Sequence, residues 1–216
     1  MRRTNANFLK ALVGVGKAIQ GETFARHRPV MNIFDKRGIV ALGAFVAPNA
    51  SIIGEAVVGS GVSVMYGAVI RADKNKVFIM NNTVIMDRAV LNTVSSLATG
   101  FPSDIKIGWE CVIGPGAVLT SCELEKNVII GAGAVIGEGS IIEKNCKIAA
   151  GSIVPPGTYI PAGQLWAGNP AKYVRDVSGY ELDERPKQIE ELINTGRVHD
   201  EEILPWGTTY QGVKNV

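Results

Sequence analysis

The sequence predicts an all-β solenoid, and three observations carry that expectation. An aliphatic residue returns every six positions through most of the chain. A small or modest-sized residue recurs four places after most of them, and turn-forming residues fill the gaps. A helix requires a period of 3.6 and a flat strand a period of 2, so neither accounts for six. Six residues suit one short strand and one turn, and three such sides close a triangular parallel β-helix.

The anchors begin at Val40, Val46, Ile52, Val58, Val64 and Ile70, and resume at Ile79, Ile85 and Leu91. They return at Ile107, Ile113 and Leu119, then slip by one residue to Leu124, Ile130, Ile136, Ile142, Ile148 and Val154. These positions are expected to stack inward as aliphatic columns. The small residues include Ala50, Ala56, Ala68, Thr83, Ala89, Cys111, Ala117, Ala134, Ser140 and Cys146, and they let the corners turn. Two interruptions, 71–78 and 92–106, read as loops, and loops on a rigid scaffold are where function tends to sit.

Charge divides the chain into a basic head (net +6 over 1–37), a near-neutral body and an acidic tail (net −3 over 172–216). Three pieces follow: a head over 1–37, the solenoid over 38–172, and a C-terminal helix with extended tail over 173–216. In the head, Phe8, Leu12, Val15 and Ile19 form the apolar stripe of an amphipathic helix over 5–20, with Lys10 and Lys17 opposite. Arg2, Arg3 and the lack of acid before Glu22 give this segment the character of a mitochondrial presequence. Its stripe is too short to span a bilayer and suits an apolar surface or a lipid interface. Past the repeat, Pro155-Pro156-Gly157 is expected to stop the coil. Ser178 and Glu181 form a capping box that opens a short helix. Pro186 is expected to start a second one, with Ile189, Leu192 and Ile193 on one face and Gly196 closing it.

Composition excludes several classes. At 46% hydrophobic and 19% charged residues the chain can bury a core. A net charge of +2 argues against a general nucleic-acid binder. No apolar run reaches the length of a membrane-spanning helix. Three cysteines make no disulfide framework. Cys111 and Cys146 fall at inward positions and read as packing. Of only two histidines, His27 lies in the basic head and His199 in the acidic tail, and both read as surface or capping residues.

The repeat, Tyr66-Gly-Ala-Val-Ile-Arg71-Ala-Asp73 and Trp166-Ala-Gly-Asn-Pro-Ala-Lys172 together resemble the γ-class carbonic anhydrases. Arg26-His-Arg-Pro-Val-Met-Asn-Ile-Phe-Asp-Lys36 is more specific and resembles the γ-carbonic anhydrase subunits of mitochondrial complex I in plants, algae and protists. The resemblance covers roughly residues 5–185. It implies a left-handed coil, a trimer with related chains, and attachment to the matrix side of the complex I membrane arm in the inner membrane. In active members three histidines hold zinc, two from one chain and one from its neighbour. The matching positions here are Asn92, Pro115 and Thr120, and the glutamine near the zinc-bound water matches Met86. Proline offers no donor atom, and Asn or Thr binds zinc poorly beside imidazole or thiolate. The resemblance therefore implies no catalytic residue, no metal and no cofactor in this chain. Cys122 occurs in active members and is not a ligand there.

Arg71, Asp73 and Asp87 also match positions the family keeps. They are read as inter-subunit structural residues, with Arg71 pairing to Asp87 across the trimer interface. Two enzymatic alternatives stand beside the structural reading. An assembled trimer can keep an active zinc site built by its other chains. A hexapeptide acyltransferase requires a histidine between coils as general base, and residues 40–154 contain none.

Overall fold

The computed structural model describes residues 28–202, apart from 34, 98, 99 and 101, and Pro29–Glu202 forms one compact unit. The amphipathic stripe expected over 5–20, His27, and the tail beyond 202 lie outside the described residues. Within them the chain is a parallel β-solenoid of hexapeptide coils followed by one helix.

Each coil has three sides. On the first face, Ile52, Ile70, Leu91, Leu119, Ile136 and Val154 lie side by side in successive strands. Val58, Ile79, Ile107, Leu124, Ile142 and Ile160 do so on the second. The third stacks Val46, Val64, Ile85, Ile113, Ile130, Ile148 and Trp166. Every anchor from Ile52 to Val154 is buried, whereas Val40 and Val46, in the open first coil, are half-buried. The small residues occupy the second inward position of each side. Ala50, Ala68, Ala89, Ala117 and Ala134 are all completely buried, so a larger side chain there would meet the anchors of the same coil.

The one-residue slip in the repeat is a tight corner at Thr120–Cys122. Ser121 takes a left-handed φ of 34° there, and its hydroxyl donates to Ser103 O at 2.6 Å and accepts from Val94 N–H at 2.9 Å. Those bonds fasten the 92–106 excursion to the body. Asn75 adds a third tie by donating to Val94 O at 2.6 Å.

Three expectations are corrected. Residues 71–78 form no loop: Val69–Ile79 is one strand that bends from the first face onto the second, with its three extra residues absorbed as a bulge opposite Gly54 and Ala56. A Cβ on Gly54 (φ 84°) would sit 2.2 Å from Ala72 O, so only glycine fits the bend. Nor does Pro155-Pro156-Gly157 stop the repeat. Tyr159–Ile160 pairs with Ile141–Ile142 and Ile160 is fully buried. The strand Ile153–Val154 is the edge of its sheet, where a missing proline N–H costs no ladder bond. The coil ends instead in an antiparallel hairpin, Gln164–Gly168 with Ala171–Asp176.

The third correction concerns the C-terminal region, which is one helix, α1 (Gly179–Glu202), with Pro186 inside it. The capping box forms as expected, since Ser178 Oγ accepts from Glu181 N–H and Glu181 Oε2 accepts from Ser178 N–H. Proline near the helix start removes one bond and clashes once. Packing on both sides of it outweighs that loss. Arg185 donates to Asn127 O at 2.8 Å, and Ile189 and Ile193 are buried against Val84 and Val112 of the third face. Gly196 ends nothing. A Cβ there would lie 2.4 Å from Ser63 Oγ, so glycine is the residue that lets helix and sheet touch.

The anchor of α1 sets up a pH dependence. Hydrogen bonds from Arg175, Ser178 and Lys147 hold the Glu181 carboxyl well below its ordinary value. A depressed carboxyl contributes stability above its unfolded pKa, near 4.5, and that contribution fades as pH falls below it. Glu181→Gln should lower the urea midpoint at pH 7, and its deficit relative to wild type should shrink as pH drops below about 4.5. A deficit independent of pH would remove Glu181 from this role.

Candidate functional site

The residues singled out in the sequence fall on the two long edges of the first face. At one edge, Arg71, Asn92 and Thr120 are direct register partners in three adjacent strands. Asn92 and Thr120 are half-buried and point outward, because each follows an inward anchor, Leu91 or Leu119. Pro115 stands at the opposite edge, exposed at the corner that leads into Val118–Thr120. It lines a groove of about 550 Å³ together with Asn49, Tyr66, Asp87 and Arg88. One chain therefore brings two of the three positions together and keeps the third across the face.

Arg71 Nη2 donates to Asp73 Oδ2 at 2.7 Å, and Asp73 Oδ1 accepts from Lys74 N–H at 2.9 Å. Burial alone would raise the Asp73 carboxyl, but the Arg71 bond and charge outweigh it and hold the group below its usual range. Lys36, from the N-terminal motif, spans the same bend by donating to Asp73 O at 2.7 Å and Lys74 O at 2.8 Å. Asp87 is not next to Arg71 within the chain. Its carboxylate accepts from Tyr66 N–H at 3.0 Å and its carbonyl from Gly116 N–H at 2.8 Å, bracing the corner that carries Pro115. Met86 packs under α1 against the cluster of Val84, Val112, Ile189 and Ile193.

The donor set does not fit zinc. It offers an amide, a hydroxyl and a proline ring, and among the described residues no three His, Cys, Asp or Glu side chains gather at a metal-binding distance. The cysteines are no substitute. Burial pushes the Cys111 and Cys122 thiols up to about 12 and raises Cys146 as well, so all three stay protonated near neutral pH. His199 meets the solenoid instead, with its Nδ1 2.9 Å from the Tyr66 hydroxyl and its ring edge-on to Phe45. Sequence reasoning placed it at the surface and missed this contact, since nothing in the repeat marks Phe45 and Tyr66 as the seat of a distant helix end.

Comparison with known proteins agrees with this architecture. Residues 121–156 match the bacterial transferase hexapeptide family (six repeats). The chain is 36% identical over 198 residues to gamma carbonic anhydrase 2, mitochondrial, of Arabidopsis thaliana, covering 89% of this chain and 71% of that protein. It is 37% identical over 175 residues to the same plant's gamma carbonic anhydrase-like 2, mitochondrial, covering 81% and 68%. Among solved structures, a hexapeptide transferase family protein from Anaplasma phagocytophilum superposes with a TM-score of 0.72 at 32% identity, covering 78% of this chain and 96% of that one. The coil, the corner residues and these relatives place the chain in the γ-carbonic anhydrase family of hexapeptide-repeat proteins.

Proposed function

We propose that this chain is a non-catalytic structural subunit of a γ-carbonic anhydrase-like heterotrimer, attached to the matrix side of the mitochondrial complex I membrane arm. The observation that carries the reading is the split of the ligand positions. Asn92 and Thr120 stand on one edge of the first face and Pro115 on the other, so this chain would offer a neighbour half a site on each side. Neither half holds a zinc-binding group. A trimer containing one such chain loses the two sites it borders and keeps the one between its partners.

The relatives named above as mitochondrial support the compartment. The surface supports the assembly. Val69, Val90, Val118, Val135 and Ile153 form an outward aliphatic ladder along the first face, and no other described element of the chain covers it. No helix among the described residues is long and apolar enough to cross a membrane, so attachment falls to surfaces and to the basic head.

The test is gentle detergent extraction followed by native gels and mass spectrometry. Co-migration with respiratory subunits is expected, and migration of the trimer alone would refute the attachment. Deleting residues 1–20 should leave the trimer intact while markedly reducing its co-migration. Lys10, Lys17, Arg2 and Arg3 would each be worth on the order of 1 kcal/mol beside an anionic surface. Loss of the trimer, or undiminished attachment, would assign the head another role.

A further inference from the structure

We propose that the seam between α1 and the third face of the solenoid binds a small monovalent inorganic anion, held by the Arg185 guanidinium with Lys147 and Gln188. Arg185 is 1% exposed. Its Nη1 donates to Asn127 O at 2.8 Å, and its Nη2 has no partner, which makes it the one buried side-chain nitrogen or oxygen among the described residues left without one. Such a group is costly in proportion to its charge. A buried donor left without a partner is destabilising, and a buried cation without a counter-charge more so.

The surrounding carboxylates do not supply the missing charge. Glu181 is the nearest acid by its influence on Arg185, but its two oxygens already accept from Arg175, Lys147 and Ser178. Glu184 turns to Lys187, 3.6 Å away. Cys146 is held in its neutral thiol form by burial. Lys147, Arg175, Arg185 and Lys187 thus share the two carboxylates of Glu181 and Glu184, so the seam carries more positive than negative charge.

There is room for a counter-ion. Arg185 lines a pocket of about 140 Å³ with Ile129, Lys147, Tyr180, Gln188 and the two carboxylates already engaged by Lys147, Arg175 and Lys187, Glu181 and Glu184. That volume suits a halide or nitrate and excludes a nucleotide or a sugar phosphate. Lys147 and Gln188 bring further N–H donors, and Tyr180 a hydroxyl. An anion here would fasten α1 to the coil by neutralising the residue that anchors it. This inference is independent of the trimer and of the carbonic anhydrase site.

The test uses the full-length chain in its purified oligomeric state. Melting temperature is followed in sodium chloride against sodium gluconate, at matched pH and ionic strength. A saturable rise of a few degrees in chloride is expected, because a ligand that binds only the folded state stabilises it by mass action. Arg185→Met should abolish the rise, and Lys147→Gln should move its midpoint to higher chloride. A bromide-soaked crystal should show an anomalous peak within hydrogen-bond reach of Arg185. Equal melting in chloride and gluconate, a rise retained in Arg185→Met, or water in place of bromide would each overturn the proposal. If Arg185→Met does not fold, Lys147→Gln and the bromide crystal decide it.

Discussion

Purified alone and supplied with zinc, this chain should hydrate CO₂ no faster than buffer. Near neutral pH the reaction requires a metal to bring the pKa of water from about 15.7 to about 7. The positions that match the family's metal ligands are Asn92, Pro115 and Thr120, which offer zinc neither imidazole nor thiolate. Stopped-flow hydration with a pH indicator, paired with metal analysis, measures both halves of the expectation. Catalysis above background with stoichiometric zinc would overturn the structural-subunit reading at its root. The converse experiment is equally specific. The combined Asn92→His, Pro115→His and Thr120→His variant should bind zinc once assembled and still hydrate CO₂ poorly. Met86 stands where active members carry glutamine, and it is packed against Val84, Val112, Ile189 and Ile193 beneath α1. Placing a hydrogen-bonding side chain at the water therefore requires Met86→Gln as well, and groups behind a metal site commonly cost tenfold to a hundredfold when absent.

The columns of the solenoid were legible because the repeat makes one statement many times. Ile113, Ile130 and Ile148 each report the same environment, and stacking places them side by side. Single events were less legible. The bend in Val69–Ile79 and the edge position of Pro155 depend on what lies one coil away, and a linear pattern does not contain that information. Pro186 was misjudged for the same reason. A proline rule describes an isolated helix, whereas this one is held by Arg185 on one side and by Ile189 and Ile193 on the other. At the candidate site, sequence matching located Asn92, Pro115 and Thr120. Their division between two edges of one face, and the bond by which Asp87 braces the corner at Tyr66, required the register.

Val118→Asp should break the proposed trimer into folded monomers. The three outer faces differ in what already covers them. Helix α1 lies over the third, where Phe45, Ser63, Val84 and Val112 are buried beneath it. The second is crossed at its middle by Lys106 and Glu123, 3.5 Å apart and about half exposed, a pair suited to solvent. Only the first carries an unbroken aliphatic ladder, from Val69 through Val118 to Ile153, and it runs between the two edges that hold the divided ligand positions. Val118 is central in that ladder and half-buried in the single chain, so its side chain points away from the coil's own core. Aspartate there leaves the anchors Leu119 and Ile136 untouched. In an interface between chains the same carboxylate is a desolvated, unpaired charge that costs several kcal/mol at each contact. Light scattering coupled to size exclusion should report the monomer at micromolar concentration, with far-ultraviolet circular dichroism unchanged. Ile141→Asp, on the second face and 41% exposed, is the matched control and should remain trimeric. A trimer that survives Val118→Asp but not Ile141→Asp would move the interface to the second face, and the two halves of the ligand set would then no longer meet between chains.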